Sequence, residues 1–205
     1  KKIWDEEVGF KDCFKILLGG GDVGNAVVQS KDIDIICFTG STAVGKIIAR
    51  ECAQTLKPHL LELGGKDPMI VLKDANINRS VESALFGGLS NSGQTCISTE
   101  EVFIENPIYE QFVEKISNRV KDIKSGNLDA DLGSMIMPQN TEKVNRHIKE
   151  AENSCKVIKG ISDEGEMFIA PTLVIDPSSD LSIVNEETFG PVLSLRPFSN
   201  EDELI

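Results

Sequence analysis

Short apolar runs alternate along this chain with amphipathic stretches whose apolar positions recur every three to four residues. Phe14-Lys15-Ile16-Leu17-Leu18 reads as a strand, and Gly19-Gly20-Gly21-Asp22 as a turn into a short helix through Asn25 to Gln29. Asp34-Ile35-Ile36-Cys37-Phe38 is rich in β-branched and aromatic residues between turn formers, which predicts a buried strand. Ser41 can cap the next helix, with Val44, Ile47, Ile48 and Ala49 as its buried face. Leu60-Leu61-Glu62-Leu63 and Met69-Ile70-Val71-Leu72 predict two more strands, separated by Gly64-Gly65-Lys66-Asp67-Pro68. A helix over 77–89 leads into a polar loop over 90–95 and then a strand at Glu101-Val102-Phe103-Ile104. A helix over 107–123 has apolar positions at Ile108, Phe112, Ile116, Val120 and Ile123, and another is predicted over 138–154. Thr172-Leu173-Val174-Ile175 and Val192-Leu193-Ser194-Leu195 complete the set as strands.

Strands interleaved with helices predict an α/β fold with largely parallel sheet. The glycine pair after Glu62 marks a boundary between a first lobe, residues 1–62, and a second, residues 63–205. The 205 residues suffice for one full core or two smaller lobes. A hydrophobic content of 40% and a charged content of 26% are those of an ordinary soluble globular protein. The net charge of −12 argues against nucleic acid and against anionic membrane surfaces, leaving a solubilising acidic surface. No apolar run approaches the roughly 20 residues that span a bilayer, and the opening Lys1-Lys2-Ile3-Trp4-Asp5-Glu6-Glu7 does not read as a signal peptide. Without an initiating Met, and stopping at Glu201-Asp202-Glu203-Leu204-Ile205 as if in the first turn of a helix, the sequence reads as truncated at both ends.

Cys13, Cys37, Cys52, Cys96 and Cys155 are odd in number and contain no C-x-x-C pair, so neither a disulfide framework nor a zinc site is expected. With only His59 and His147 beside them, no metal site is predicted, and mostly buried thiols fit a reduced, cytoplasmic compartment.

Gly40-Ser41-Thr42-Ala43-Val44-Gly45-Lys46 reads G-x-x-x-x-G-K, the beginning of a mononucleotide-binding loop. The hydroxyl residue that would ligate Mg²⁺ after the lysine is replaced by Ile47, which cannot. A strand followed by glycine and a helix N-terminus still suits a phosphate group, although the same pattern serves as a plain strand-to-helix turn. Cys96 lies in the polar loop Ser90-Asn91-Ser92-Gly93-Gln94-Thr95-Cys96-Ile97-Ser98, where solvent access suits a nucleophile; a small packed hydrophobe is the alternative. Glu62 stands among leucines before two glycines, either pointing to water from a strand or partly desolvated in a cleft as a general base.

FTGSTAVGK, LELGGKDP, NSGQTCIS and EETFGPV occur in that order, and together they closely resemble the signatures of the NAD(P)-dependent aldehyde dehydrogenase superfamily, over essentially the whole chain. The resemblance implies a Rossmann-like parallel sheet portion, the end of a cofactor domain, followed by an incomplete α/β catalytic domain. It implies that Cys96 is the nucleophile and Glu62 the general base. It assigns Gly40, Ser41 and Gly45 to the cofactor phosphates, the main chain of Leu63 to the carboxamide, Glu187 to the nicotinamide ribose and Phe189 to packing near the nicotinamide. Thr188 stands where an aliphatic residue is commoner. The implied cofactor is NAD or NADP, the substrate a small aldehyde, and the parent enzyme a homodimer or homotetramer. Family segments that supply an oxyanion-stabilising asparagine, an adenosine-ribose lysine and much of the substrate pocket are not in this sequence, so the 205 residues alone are expected to be inactive. Glu62 favours hydrolysis over transfer to coenzyme A. A P-loop-like ATPase or a non-catalytic protein of the same fold are the competing readings.

Overall fold

The computed structural model describes residues 13–204. The chain divides into two compact units, one ending at Gly64 and the other starting at Gly65.

In the first unit α1 (Gly21–Gln29) precedes β1 (Ile36–Thr39), α2 (Thr42–Gln54) and β2 (His59–Glu62). The strands pair in parallel, Ile36 opposite His59 and Thr39 opposite Glu62, so α2 is the crossover of a βαβ unit. Val28, Ile36, Ile48 and Cys52 form its core. Lys57 closes the end of α1 by donating from Nζ to the carbonyls of Val28 (2.6 Å) and Ser30 (2.7 Å).

Four expectations need correction here. Three of the five thiols, Cys13, Cys37 and Cys96, are exposed rather than buried, and the strand read as buried over 34–38 forms at Ile36–Thr39 with only Ile36 buried. Residues 14–18 form no strand: no described strand pairs with them, and Leu17 and Leu18 are exposed. An apolar run becomes a strand only where another strand supplies its ladder. The buried face of α2 is Gly45, Ile48 and Cys52, while Val44 and Ile47 are about half exposed. The spacing of three and four is helical as expected, but the face turned inward is the one on which Gly45 packs against Leu63.

The second unit holds a five-stranded sheet in the order β3 (Asp67–Val71), β4 (Thr99–Glu105), β9 (Val192–Phe198), β8 (Thr172–Ile175) and β6 (Lys156–Lys159). All neighbours are parallel except β6 with β8. α3 (Ile77–Leu89) and α4 (Asn106–Val120) share a core with Val102, Ile104, Leu193 and Leu195. α5 (Pro138–Glu152) shares a second core with Val174 and Val192. Strand alternation explains the division, because Leu193 and Leu195 point to one face of β9 and Val192 to the other. Phe112, Ile104 and Leu195 are fully buried, each contributing about 1.5–3 kcal/mol relative to exposure.

The remaining elements are short: a pair formed by β5 (Lys124–Ser125) and β7 (Ile161–Ser162), and the single-turn α6 (Ser182–Asn185). None has enough residues to display a period. The pairing of β3 with β4 slips between Asp67 and Pro68: Asp67 faces Thr99, but Pro68 faces Glu101. Glu100 is therefore the extra residue of a β-bulge.

Candidate active site

In the first unit the motif residues gather at the C-terminal ends of β1 and β2. The Gly40 N–H donates to the Glu62 carbonyl at 3.0 Å, joining the two motifs directly. Ser41 caps α2 as predicted, its Oγ accepting from the Val44 N–H at 3.3 Å. Gly45 packs so closely on Leu63 that a Cβ there would lie 2.6 Å from Leu63 Cδ2. The first N–H groups of α2, at Thr42 and Ala43, precede its internal ladder, and no acidic residue occupies that turn. These features fit an anionic phosphate. The Glu62 side chain is exposed and Leu63 half-buried. A groove of about 780 Å³ in this unit is lined by apolar residues including Val23, Val27, Ile35, Phe38, Val44 and Ile47, and none of the motif residues assigned to chemistry lines it.

Cys96, Glu187 and Phe189 belong to the second unit. After α3 the chain makes a tight turn with Asn91, Ser92 and Gly93 all at positive φ (53°, 57° and 68°). Buried side chains hold this turn. Ser92 Oγ donates to the Gly133 carbonyl at 2.9 Å; Gln94 Nε2 donates to the Asn91 carbonyl at 3.1 Å, and its Oε1 accepts from the Ile136 N–H at 2.9 Å. A following turn, closed by the Ser98 N–H on the Thr95 carbonyl at 3.0 Å, carries Cys96 and Ile97 at its exposed tip. The nucleophile candidate is thus accessible on a fixed support.

Gly93 ties this loop to the EETFGPV segment, since a Cβ on it would overlap the Gly190 carbonyl group. Thr188 is buried, and Phe189 has φ 57°, unusual for a residue with a side chain. Glu100, only 4% exposed, holds this stretch: the Thr188 N–H reaches both carboxylate oxygens at 2.9 Å, and the Phe189 N–H reaches Oε1 at 2.8 Å. Lys66 Nζ balances the charge at 2.6 Å from Glu100 Oε2. Burial pushes the Glu187 carboxyl above its usual range, assisted by the charge of Glu100; Lys143, the Gly65 N–H and Lys66 oppose the shift. His147 on α5, fully buried, has Nδ1 at 3.3 Å from Thr188 Oγ1, and its Nε2 lies 3.4 Å from Glu186 Oε2 without a hydrogen bond. Burial pulls the His147 pKa down.

Glu100, Lys66, Gln94 and His147 were not singled out from sequence. A signal was present in the first case, because two adjacent carboxylates, Glu100-Glu101, open a strand that is otherwise apolar.

Across residues 3–205 the sequence matches the aldehyde dehydrogenase family. The chain belongs to that family. It is 35% identical to the succinate semialdehyde dehydrogenase of Acinetobacter baylyi over 89% of this chain and 39% of that protein. It is 35% identical to the betaine aldehyde dehydrogenase of Bacillus subtilis over 98% of this chain and 43% of that protein. A betaine aldehyde dehydrogenase double mutant from Staphylococcus aureus, solved in complex with NAD+, superimposes with a TM-score of 0.90 at 32% identity, covering 98% of this chain and 42% of that one. The chain therefore spans about two-fifths of the length of the relatives it matches. Membership brings the four motifs under one heading, and Ile47 stands against the ATPase reading. Among the described residues no helix is long and apolar enough to cross a membrane.

Proposed function

We propose that the natural polypeptide carrying this sequence oxidises an aldehyde to a carboxylic acid, with Cys96 as nucleophile and Glu62 as general base. The observation that carries the reading is the exposure of Cys96 at the tip of a turn whose base is fixed by buried Gln94 and by the packing of Gly93 on Gly190. Family membership and the retention of Cys96 and Glu62 in their motifs add support.

The thiolate of Cys96 adds to the aldehyde carbon, and the resulting alkoxide needs an N–H donor nearby, a role suited to the Cys96 backbone N–H. NAD+ or NADP+, when bound, supplies the two-electron oxidant that turns this thiohemiacetal into a thioester. Gly40, Ser41 and Gly45 hold its phosphates, the main chain of Leu63 its carboxamide, and Glu187 and Phe189 its nicotinamide side. Glu62 takes a proton from water, the hydroxide equivalent adds to the thioester carbon, and the Cys96 thiolate leaves with release of the acid. A carboxylate serves here because the thioester is already activated towards addition. The polypeptide is a cytoplasmic homodimer or homotetramer, and residues 1–205 alone do not turn over.

The test compares Cys96→Ser and Glu62→Gln in the natural polypeptide. Cys96→Ser is expected to abolish NADH formation. Glu62→Gln should leave a single burst of NADH, one per site, followed by slow turnover as the thioester accumulates. Undiminished oxidation by Cys96→Ser would place the nucleophile elsewhere. Full steady-state activity in Glu62→Gln would remove Glu62 from deacylation.

A further inference from the structure

We propose that Glu100 is a positioning residue for the nicotinamide side of the cofactor site: its buried carboxylate, held by Lys66, fixes the backbone of Thr188 and Phe189 and so places Glu187 and Phe189. The inference rests on the cofactor roles given to those two residues above.

A regular strand sends neighbouring side chains to opposite faces, yet Glu100 and Glu101 are both buried. Both faces of the sheet are covered, and the bulge leaves Glu100 outside the pairing with β3, so its side chain is free to take other partners. The ladder between β4 and β9 begins only at Glu101 with Ser194, so the segment before β9 is not held to β4 by paired backbone. The carboxylate takes over that task. It accepts the Thr188 N–H on both oxygens and the Phe189 N–H on one, charge-assisted bonds at 2.8–2.9 Å. Phe189 sits at φ 57°, a conformation that persists only when its surroundings hold it. Lys66, in the LELGGK stretch immediately before β3, pairs with Glu100 at 2.6 Å. Glu100 itself needs no contact with cofactor or substrate to act in this way.

The experiment uses the natural polypeptide and measures three quantities: NAD+ affinity by calorimetry, the separate KM values for NAD+ and aldehyde, and amide hydrogen exchange at Thr188 and Phe189. Glu100→Gln keeps the size but puts an NH2 group where an N–H or the Lys66 ammonium must be met. It is expected to speed exchange at both amides and to weaken NAD+ binding about tenfold, leaving the KM for aldehyde within about twofold. Glu100→Asp, charged but one methylene short, should fall between. Should Glu100→Gln fail to fold, Lys66→Met carries the same expectation with the carboxylate intact. Faster exchange with unchanged NAD+ affinity would make the pair merely structural and overturn the proposal, as would unchanged exchange. Wild-type protein that binds neither NAD+ nor NADP+ would be recognised before any variant is compared; it would remove the functional reading, and this inference with it.

Discussion

Gly93→Ala puts the contact between the NSGQTC and EETFGPV segments to a direct test. Gly93 has φ 68°, where a residue with a Cβ pays about 1–2 kcal/mol. The added methyl would also overlap the Gly190 carbonyl and come within 3.0 Å of the Gly88 carbonyl oxygen. Those atoms are backbone, so no flexible side-chain end can yield, and overpacking of this sort costs about 1–3 kcal/mol. The sum is about 3 kcal/mol of lost stability. Gly133→Ala supplies the control, because a Cβ there meets no heavy atom within 4 Å, and its effect should stay within about 0.5 kcal/mol. Thermal and urea unfolding of the natural polypeptide, read by circular dichroism, gives both numbers. Because the same loop supports Cys96, the rate of thiol labelling at that residue should change in Gly93→Ala and not in Gly133→Ala. A Gly93→Ala protein as stable as wild type, with unaltered labelling, would refute the close approach of the two segments.

Two further predictions follow from the second unit. His147 is fully buried and its pKa is pulled down by that burial, so the unfolded chain takes up its proton first as the pH falls. Stability is then undiminished above the unfolded value, near 6.5, and is lost as the pH drops toward the folded value, at up to about 1.4 kcal/mol per pH unit. His147→Gln should flatten this loss between pH 6.5 and 5.5 in urea titrations, and an unchanged pH profile would show that His147 is not its source. Asn76 caps α3 by accepting the Arg79 N–H at 3.1 Å, so Asn76→Ala should cost about 1 kcal/mol in the same titration; a cost near zero would mean the cap is not formed in solution.

The sequence made elements legible wherever a period had room to repeat. The helix expected over 77–89 coincides with α3, and the strand at Thr172-Leu173-Val174-Ile175 with β8. β5, β6, β7 and α6 are not legible, because none of them carries more than two consecutive apolar residues. The misread face of α2 has a different origin. Val44 and Ile47 are apolar and spaced for burial, but a close approach of Gly45 to Leu63, set by a residue without a side chain, decides which face turns inward. Hydrophobicity says which residues would gain by burial; it does not record where a missing Cβ allows the tightest contact. Glu100 was passed over for a related reason, since a bulge frees a residue from its pairing without altering the residue pattern around it.

The location of the motifs relative to the strands explains why they could be read as motifs at all. In the first unit Gly40, Ser41, Glu62 and Leu63 lie at the carboxyl ends of parallel strands, where open α/β sheets ordinarily bind ligands. The second unit inverts this arrangement. Lys66 precedes β3, Cys96 precedes β4 with Glu100 at its start, and Glu187 and Phe189 precede β9, so the group collects at the amino ends of three adjacent parallel strands. A segment arriving at a strand has no ladder of its own, and its backbone groups must be met by side chains. Glu100 meets those of Thr188 and Phe189, Gln94 those of Asn91 and Ile136, and Ser92 that of Gly133. Residues given such tasks cannot be exchanged for others of similar hydropathy. Polar identity therefore matters most at these strand approaches, while the cores of the strands that follow are filled largely by apolar side chains.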